Sequence, residues 1–569
     1  MSSFCSVLDA AACEHPDKPL FIFPETRWRG EESHTYGSLA SVAGAAAKTL
    51  GRHAGPGDRA MLMFSTGTAF WEAFMGCLAR GIIAVPLSVP NLNRTSDQLE
   101  GVCGDCGPSV LVVDDQTADL LKRRADRHPY FSELPVVTPD QWRGDDGAFT
   151  FVQPNDNTPA FLQYTSGSTS RPKGVQITHS NLLANAALIR DRMQLRVGED
   201  YAVTWLPHYH DMGLVGSYLI TLFSRNTSWC LPPEEFVLRP VRWLQLISEH
   251  SATICGGPNF AYQMCAEKIT EEQLEGVDLS SWRVAYVGAE RIRSETLAQF
   301  TGKFGAYGFR EQALFPCYGL GEATLMVTGG PADASPVVRS VSASGLMQHR
   351  IESPPTAEDC AYLCGSGQTF EGSEVVIFDS ETGQRLSEDC IGEVVVAGES
   401  VTQGYYNRPE LNDDLFCELE VDGRSRRFVR TGDLGFLSAG ELFITGRIRE
   451  LMIVRGRNLY PDDIESRVCG AHEALTPGGA VAFSADLNGE ESLIVAVELQ
   501  RSAMRMESPD EVFASARRHV IEGFGVNPAE ILLLRPASVP RTSSGKPRRL
   551  MLRASYIDGT IRSLFRELS

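Results

Sequence analysis

The alternation of short apolar runs with longer helical segments constrains the fold of this chain most. Three apolar runs have the length of strands: 60–64, 82–85 and 109–113. Between the first two, apolar side chains recur at helical spacing: Phe70, Phe74, Cys77 and Leu78. A strand, a helix and a second strand of these lengths form a βαβ unit. The sequence therefore predicts that the N-terminal region is an α/β fold with a mostly parallel sheet.

A hydroxyl-rich loop with the sequence YTSGSTSRPKG occupies residues 164–174, after a further strand-like run at 160–162. Its hydroxyl groups, its glycine and the ammonium group behind its proline can surround an anion together with backbone N–H groups. The candidate ligands of a polyphosphate are Thr165, Ser166, Gly167, Ser168, Thr169 and Lys173. The loop lacks the G-x-x-x-x-G-K-[ST] spacing of common nucleoside triphosphatases, and a solvated turn is the alternative interpretation.

This loop, followed by THSN at 178–181, resembles the phosphate-binding signature of the adenylate-forming superfamily. That superfamily includes acyl-CoA synthetases, peptide-synthetase adenylation domains and luciferases. Two further strings, WLPHYHDMGLVG at 205–216 and YGLGEATLMVTGG at 318–330, are most similar to fatty acyl-AMP ligases. The resemblance extends from Tyr36 to about Arg549. It implies a large N-terminal domain of layered α/β subdomains with a small β region, and a smaller, mobile α+β C-terminal domain.

The acidic composition limits the classes of partner. The 569 residues carry a formal net charge of -20, which argues against nucleic-acid binding, since a phosphate backbone requires a basic face. It also weakens the case for docking on anionic lipid. The first thirty residues hold no apolar segment of signal-peptide length, and no apolar run is long enough to span a membrane. We therefore expect a cytoplasmic protein without stable membrane insertion.

The 14 cysteines are scattered along the chain, as buried small hydrophobic residues in a reducing compartment would be. Two pairs have spacings that could suggest zinc: Cys103 with Cys106, and Cys360 with Cys364. Neither pair has a partner pair of His or Cys at finger-like spacing, so we favour a structural role.

Two segments are candidates for the acyl site. His208 and His210 lie in a Pro/Gly-bounded loop beside Asp211, where a metal site would lack a convincing third ligand. The resemblance implies that His210 lies by the acyl carboxylate. Further along, 256–260 breaks the chain before an apolar helix that contains Phe260, and the resemblance implies that this helix lines the acyl tunnel. A plain core helix is the alternative.

Two strand ends are candidates for the nucleotide. A strand at 284–287 ends in Gly288, Ala289 and Glu290, and open α/β sheets bind ligands at such carboxyl ends. The resemblance places these three residues along the adenine. In YGLGE at 318–322, Tyr318 can stack on a purine and Gly319 lets the backbone approach nucleotide and substrate closely. Glu322 can hold Mg²⁺, which prefers one or two carboxylates plus phosphate oxygens.

The segments that follow resemble a ribose site and a hinge. Asp433, beside glycines in a loop, can accept hydrogen bonds from ribose hydroxyls. The resemblance implies that Arg447 contacts the ribose or phosphate, and that Arg449 is the pivot between the domains. Glu450 stands where the family usually has Asp. Residues 331–355, with Val337 and Val338 as their apolar centre, resemble the insertion of fatty acyl-AMP ligases that is thought to hinder acyl-CoA formation; an ordinary surface excursion is the alternative.

We place the domain boundary between residues 446 and 447, with a lid domain at 447–569. Within the chain we also expect a helix at 181–193 capped by Ser180, and a capping box at 508–511 with proline in the first helical position. Lys546, on a basic Gly-flanked loop, would ordinarily be a solvated surface lysine. The resemblance instead identifies it as the adenylation catalyst.

The sequence thus predicts an enzyme that activates a fatty acid with ATP and Mg²⁺ to an acyl-adenylate. Lys546, Glu322 and Arg447 are its expected catalytic residues, and a separate acyl carrier protein with a phosphopantetheine arm is the expected acceptor. Three alternatives stay open: an acyl-CoA or aryl-CoA synthetase, a peptide-synthetase adenylation domain, and a catalytically inactive sensor of acyl groups or nucleotides.

Overall fold

The computed structural model of the chain describes residues 3–27, 29–90, 97–144, 147–155, 157–165, 172–421, 423–487, 490–506, 508–542 and 545–568.

The described strands are, in chain order, β1 (Pro19–Phe23), β2 (Glu32–Thr35), β3 (Arg59–Met63), β4 (Ile83–Leu87), β5 (Val110–Val113), β6 (Val136–Val137), β7 (Pro159–Thr165), β8 (Lys173–Thr178), β9 (Tyr201–Thr204), β10 (Thr227–Cys230), β11 (Ile254–Pro258), β12 (Val284–Gly288), β13 (Leu314–Gly319), β14 (Met326–Gly329), β15 (Val338–Ser342), β16 (Cys360–Cys364), β17 (Ser373–Asp379), β18 (Gln384–Arg385), β19 (Gly392–Gly398), β20 (Phe416–Val421), β21 (Arg424–Ser438), β22 (Glu441–Arg447), β23 (Met452–Val454), β24 (Arg457–Leu459), β25 (Leu475–Leu487), β26 (Glu490–Leu499), β27 (Glu530–Leu534) and β28 (Ser563–Leu568).

The described α-helices are α1 (Phe4–Glu14), α2 (Tyr36–Leu50), α3 (Thr68–Arg80), α4 (Asp97–Cys106), α5 (Asp115–Arg123), α6 (His179–Arg192), α7 (Asp211–Gly213), α8 (Ile220–Phe223), α9 (Pro233–Leu238), α10 (Val241–Glu249), α11 (Asn259–Lys268), α12 (Ser294–Phe304), α13 (Ala343–Leu346), α14 (Pro409–Leu415), α15 (Pro461–Cys469), α16 (Asp510–Phe524) and α17 (Arg549–Ile557). A π-helical stretch, Leu214–Leu219, joins α7 to α8. Short 3₁₀ turns occur at Ala125–Arg127, Pro129–Phe131, Pro139–Gln141, Glu272–Leu274, Gly305–Tyr307, Glu311–Ala313, Gly321–Ala323, Ile448–Glu450 and Arg501–Arg505. None of the helices in the described ranges is both long and apolar enough to cross a bilayer.

Two mostly parallel sheets form the large part of the molecule. One has eight strands in the order β14-β13-β12-β11-β9-β10-β1-β2, and the other has six in the order β6-β5-β3-β4-β7-β8. Only the outer pairs β13–β14, β1–β2 and β7–β8 are antiparallel. The mixed α/β class predicted from the strand and helix pattern is confirmed. After the hydroxyl-rich loop, β8 pairs with β7 as the second strand of a hairpin.

The apolar sequence pattern explains how the helices pack on these sheets. Helix α2 is rich in alanine, which allows α3 to approach it closely. A Cβ atom added at Gly76 of α3 would lie only 2.9 Å from the Cβ atom of Ala46, so glycine is needed at this contact. Phe70, Trp71 and Phe74 of α3 are fully buried and form one large core with the sheets. Each of these aromatic side chains buries a large apolar area, which stabilises the layered fold.

A smaller antiparallel sheet follows, with the order β18-β17-β19-β21-β20 and with β22 paired to β21. Beyond it, the last 120 or so residues form a four-stranded sheet, β25-β26-β27-β28, flanked by α15, α16 and α17. Residues 452–533 contribute most of the buried side chains of a separate apolar cluster on one face of this sheet. The other face packs against α17 through Leu552 and Tyr556.

Two predicted helix starts are wrong. The cap of α6 is Thr178, whose side chain accepts a hydrogen bond from the Asn181 backbone while Asn181 accepts one from the Thr178 backbone. Ser180 is inside the helix because the extended backbone ends at Thr178. In α16, Pro509 is the N-cap residue and not the first helical residue, and no side-chain capping bond forms there. Proline has fixed φ but no side-chain acceptor, so it cannot form the predicted capping box.

The segment predicted as an insertion contains β15 and α13, and β15 pairs with β16. Val337 and Val338 are 46% and 47% exposed, so the prediction that they form an apolar centre is wrong. The buried residues of this hairpin are instead Val341, Leu346 and Leu363, because the strands present their opposite face to the protein. The backbone carbonyl of Met347 accepts hydrogen bonds from the backbone N–H and from Nδ2 of Asn458, at 2.9 and 3.1 Å.

Candidate active site

A cavity of about 690 Å³ lies where the carboxyl ends of β7, β12 and β13 meet the loop that carries Lys546. Open α/β sheets bind ligands at such strand ends. Ten of the residues predicted from the sequence line it: Lys173, His210, Ala289, Tyr318, Gly319, Glu322, Asp433, Arg447, Arg449 and Lys546. The fold therefore brings together residues that are up to 373 positions apart in the sequence, from Lys173 to Lys546.

The remaining predicted residues either do not line the cavity or lie outside the described part of the chain. Gly288 ends β12 next to the cavity, and Glu290 follows the cavity-lining Ala289. Thr165 ends β7, but its side chain is outside the described part of the chain. The other predicted ligands of the polyphosphate also lie outside the described residues: Ser166, Gly167, Ser168 and Thr169.

Phe260 is not among the described residues that line the cavity. Its ring packs against Trp205, with 5.9 Å between ring centroids, and Tyr262 of the same helix is fully buried. Side chains of α6 and of the segment after His210 form the apolar wall instead, together with residues of β13, β14 and the turn between them. These residues include Ile189, Met193, Met212, Cys317, Leu325 and Met326. The four-residue spacing of Ile189 and Met193 could have indicated one face of the helix predicted at 181–193.

Asp433 is the centre of a cluster on one side of the cavity. Its Oδ2 accepts a hydrogen bond from the Tyr318 hydroxyl at 2.7 Å, and its Oδ1 lies 3.0 Å from Nε of Arg447. The carboxylate of Asp433 raises the pKa of the Arg447 guanidinium above its ordinary value, although burial opposes this. Burial, and then Asp433, raise the pKa of Tyr318. Tyr318 is therefore a neutral donor, and Asp433 and Arg447 are a charged pair.

Glu393 supports this cluster and was missed in the sequence. Its carboxylate is almost fully buried, accepts a 2.7 Å hydrogen bond from Nη2 of Arg430, and accepts one of 3.1 Å from the Gly432 backbone N–H. These contacts fix the turn immediately before Asp433. A glutamate directly after the first residue of an otherwise apolar strand, GEVVV at 392–396, was the available signal, because an unpaired buried carboxylate is costly.

Glu322 and Lys173 both line the cavity and share a neighbour, Tyr405. The Tyr405 hydroxyl donates to Oε1 of Glu322 at 2.7 Å, and Nζ of Lys173 is 5.0 Å from the centre of the Tyr405 ring. Burial, and then the charge of Arg449, lower the pKa of Lys173, whereas Glu322 opposes the shift. No sequence motif indicated Tyr405. One Glu322 oxygen is engaged by this hydroxyl, so the other can face a ligand.

Gly319 lies between these two groups, in a tight turn. A Cβ atom added there would be 1.7 Å from the carbonyl oxygen of Leu325, a distance that no side chain tolerates. The Leu320 backbone N–H donates to that carbonyl at 2.9 Å. Glycine is therefore required here by the approach of the protein's own backbone, whereas its approach to nucleotide and substrate stays a prediction.

His210 and Asp211 form a pair at the cavity, with 2.6 Å between Nδ1 and Oδ1. Burial alone would raise the pKa of Asp211, but His210 and the Met212 backbone N–H lower it below the ordinary value. His208 instead is buried against the Phe70 ring, and burial lowers its pKa to about 3. Across the described ranges no group of three or more His, Cys, Asp or Glu side chains could hold a metal ion.

Lys546 enters the cavity from the C-terminal sheet side. Its ammonium group donates to the backbone carbonyl of Ala289, a residue with φ of +63°. Burial, and then Arg447, lower the pKa of Lys546, while Glu290, Asp211 and Asp433 oppose that shift. The left-handed conformation of a non-glycine residue is strained and is concentrated at functional sites. It turns the Ala289 carbonyl toward the lysine.

Comparisons with known proteins agree with this geometry. A family model described as "AMP-binding enzyme" matches residues 8–406. The chain is 36% identical over 559 residues to "Medium-chain-fatty-acid--[acyl-carrier-protein] ligase JamA" of Moorena producens (strain JHB), covering 96% of this chain and 93% of that protein. It is 33% identical over 571 residues to "Putative fatty-acid--CoA ligase FadD21" of Mycobacterium tuberculosis (strain ATCC 25618 / H37Rv), covering 96% of each.

The fold has solved counterparts as well. A structure from a study of fatty acyl-adenylate ligases from E. coli and L. pneumophila has a TM-score of 0.88 and 33% identity, and covers 98% of each chain. The resemblance inferred from the loop and strand-end motifs is confirmed. The chain belongs to the AMP-binding enzyme family.

Proposed function

We propose that this protein is a fatty acyl-AMP ligase that activates a fatty acid with ATP and then transfers the acyl group to the phosphopantetheine thiol of a separate acyl carrier protein. The observation that carries the proposal is the meeting of Lys546 with two sets of cavity residues. The Asp433 cluster and the His210–Asp211 pair both line the cavity with this lysine, and Arg447, Asp433 and Asp211 all act on its charge. The names of the relatives support the substrate class and the carrier.

The first half-reaction joins two anions. A carboxylate oxygen of the fatty acid attacks the α-phosphorus of ATP, the new O–P bond forms, and the bond to pyrophosphate breaks. The protein must supply orientation and positive charge more than covalent chemistry. Lys546, placed about 4 Å from both groups, would stabilise them by about 4 kcal/mol at an effective dielectric constant near 20. We assign it the role of an electrostatic clamp and not of a base.

The nucleotide would be held by the Asp433 cluster. Each oxygen of Asp433 already has one partner, Tyr318 or Arg447, and keeps lone pairs for the ribose hydroxyls. We propose that the Tyr318 ring stacks on the adenine and that Gly288, Ala289 and Glu290 follow its edge. Arg447 would contact the ribose or the α-phosphate, since its guanidinium is held at the cavity by Asp433.

The pyrophosphate side would use the loop at 165–169 and Lys173. The oxygen of Glu322 that does not accept from Tyr405 fits a single carboxylate ligand of Mg²⁺, which takes its other ligands from phosphate and water. When bound, the ion would neutralise phosphate charge. The described donor set provides one carboxylate here, so the phosphates themselves must complete the site.

The acyl carboxylate would lie near His210, and its chain along the apolar wall of Ile189, Met193 and Met326. We further propose that residues 447–569 move as a lobe about Arg449. This lobe, here called the C-terminal lobe, would deliver Lys546 for the first half-reaction and turn away for the second. We place the protein in the cytoplasm, where ATP and carrier proteins meet.

Incubation with ATP, Mg²⁺ and a panel of saturated fatty acids, followed by mass spectrometry, tests the proposal. We expect acyl-adenylate and pyrophosphate, acyl-carrier product when a phosphopantetheinylated carrier is added, and little acyl-CoA when CoA is added. Abundant acyl-CoA would identify an acyl-CoA synthetase, the activity in the name of the FadD21 relative. Absence of pyrophosphate exchange with every acid would refute the enzymatic proposal and favour an inactive sensor.

A further inference from the structure

An ion pair joins the large part of the molecule to the C-terminal lobe beside the cavity. Nη1 of Arg291 lies 2.5 Å from Oδ1 of Asp463. Two residues further along, Nη2 of Arg293 donates to the backbone carbonyl of Asp462 at 2.9 Å. Both arginines follow β12, and both aspartates lie in the first turn of α15. The contact therefore connects the adenine-side strand end to the start of one helix of the lobe.

The same short turn also receives the catalytic lysine. Ala289, whose carbonyl accepts from the Lys546 ammonium, is two residues before Arg291. Thus the lobe docks on residues 289–293 through Lys546 and through the start of α15. Neither contact can form unless the lobe has the orientation seen here, because the partners lie on opposite sides of the proposed pivot.

Arg549 links the two docking points within the lobe. It begins α17, three residues after Lys546, and its side chain is 95% buried. Its guanidinium donates to Oδ1 of Asp462 at 3.1 Å and to Oε1 of Glu465 at 2.9 Å, both in α15, and it also pairs with Glu450 next to the pivot. The position of α15 therefore determines the position of the loop that carries Lys546.

We propose that Arg291 and Asp463 are positioning residues for the first half-reaction. Their ion pair holds the C-terminal lobe where Lys546 enters the cavity, and it is broken when the lobe turns for acyl transfer. The inference rests on the proposed function, and it adds a residue pair that selects between the two half-reactions. Neither member of the pair lines the described cavity.

The environment of the ion pair predicts how a charge reversal at either residue changes the contact. The Arg291 side chain is 16% exposed and that of Asp463 is 31% exposed, so solvent screens the pair less than it screens a surface pair. Asp463 is also placed near the N-terminus of α15, where the helix dipole favours a negative charge. Reversal of either charge would place two like charges together, and exchange of both would restore attraction.

The test uses the full chain with three variants: Arg291→Asp, Asp463→Arg and the double exchange. The first half-reaction is followed by pyrophosphate exchange with ATP and decanoate. The second is followed by transfer from chemically prepared decanoyl-adenylate to pantetheine, corrected for the reaction without enzyme. Arg310→Asp is the matched control, because Arg310 forms an exposed pair with Asp333 at 3.0 Å. Hydrogen exchange of peptides 285–295 and 460–468, without substrates, reports on the contact independently of activity.

We expect each single reversal to slow pyrophosphate exchange at least about tenfold and the double exchange to recover most of it, as coupled charge pairs do. The rate of transfer to pantetheine should stay within about twofold of the wild-type rate. Such a change is smaller than the loss of one weak contact would cause. Faster hydrogen exchange in both peptides should accompany the single reversals only. If a reversal prevents folding, Arg291→Gln and Asp463→Asn replace it, with the same direction expected.

Two results would overturn the inference. One is a single variant with the wild-type rate of pyrophosphate exchange and unchanged hydrogen exchange. The other is an equal loss in both half-reactions that the double exchange does not recover, which would indicate a role in stability alone. If wild type lacks pyrophosphate exchange, the proposed function fails, and hydrogen exchange in the single and double variants still decides whether the pair holds the lobe.

Discussion

At the scale of single residues, Lys546 is a lysine on a Gly-flanked loop that would ordinarily be solvated, yet it enters the cavity and contacts Ala289. Replacing it with alanine should lower the rate of acyl-adenylate formation at least about 100-fold, since the clamp is worth about 4 kcal/mol. Binding of ATP should change little, because the Asp433 cluster and Lys173 remain. Pyrophosphate exchange and equilibrium dialysis with labelled ATP measure the two effects. Lys122→Ala, at an exposed lysine of α5, is the control.

A Lys546→Ala variant that forms acyl-adenylate at a near wild-type rate would refute the assigned role. Loss of ATP binding in parallel with loss of rate would instead assign the lysine to nucleotide binding.

His208 makes a second prediction at this scale, concerning stability and pH. Burial lowers its pKa from 6.5 to about 3 in the folded protein, so the folded state binds fewer protons than the unfolded state below pH 6.5. Acidification therefore destabilises the fold from pH 6.5 downward, and by pH 5 this histidine should cost about 2 kcal/mol. Urea unfolding at pH 7.5 and pH 5.0 should show a smaller pH-dependent loss in His208→Gln than in wild type. An equal loss in both proteins would contradict the assignment.

Sequence motifs predicted ten residues that the fold brings to the cavity, for a physical reason. Lys173, Glu322, Asp433 and Lys546 each stand beside a glycine or a proline, where a polar side chain interrupts the apolar pattern of strands and helices. Tyr405 and Glu393 could not be found in this way. Their roles depend on contacts with residues 83 and 37 positions away, Glu322 and Arg430, and local sequence carries no record of such contacts.

The sequence predicted which segments form strands and helices better than it predicted the residues at which they begin. The lengths of the apolar runs in the sequence identified β3, β4, β5 and β12 to within a few residues, because a buried parallel strand is apolar throughout. Helix starts depend on which residue still has extended backbone. At α6 both Thr178 and Ser180 offer a hydroxyl group, and only the path of β8 into the helix decides between them. Likewise, Phe260 belongs to a correctly predicted helix, but no residue of that helix lines the described cavity.

The α6 cap gives a prediction at the scale of the element. Thr178→Ala removes the acceptor for the Asn181 backbone N–H and should lower the free energy of unfolding by about 1 kcal/mol. Ser180→Ala is the matched control and should change stability by less than about 0.5 kcal/mol, because Ser180 provides no cap. Chemical denaturation of both variants measures the difference. A larger loss of stability in Ser180→Ala than in Thr178→Ala would show that Ser180, the residue predicted from the sequence, is the N-cap.

Among the described contacts between the large part of the molecule and the C-terminal lobe, three are relevant to how the lobe is oriented: Lys546 with Ala289, the arginines after β12 with α15, and Asn458 with the carbonyl of Met347. The first two lie beside the cavity. The third lies on the hairpin side, where the Met347 carbonyl accepts from Asn458. It restrains the lobe without touching any cavity residue described above, so it can bias the choice of acceptor.

Asn458→Ala therefore tests acceptor choice at the scale of the whole molecule. It removes the side-chain hydrogen bond to Met347 and keeps the backbone one, a loss of about 1 kcal/mol that corresponds to about a fivefold shift in the lobe equilibrium. If this restraint limits access of CoA, the yield of acyl-CoA relative to acyl-adenylate should rise about fivefold, measured by mass spectrometry with ATP, fatty acid and CoA. Asn527→Ala, at an exposed asparagine of the same lobe, should leave the ratio unchanged. If the ratio of acyl-CoA to acyl-adenylate is unchanged in Asn458→Ala, the contact between Asn458 and Met347 does not control the acceptor. Residues of the cavity would then determine which acceptor is used.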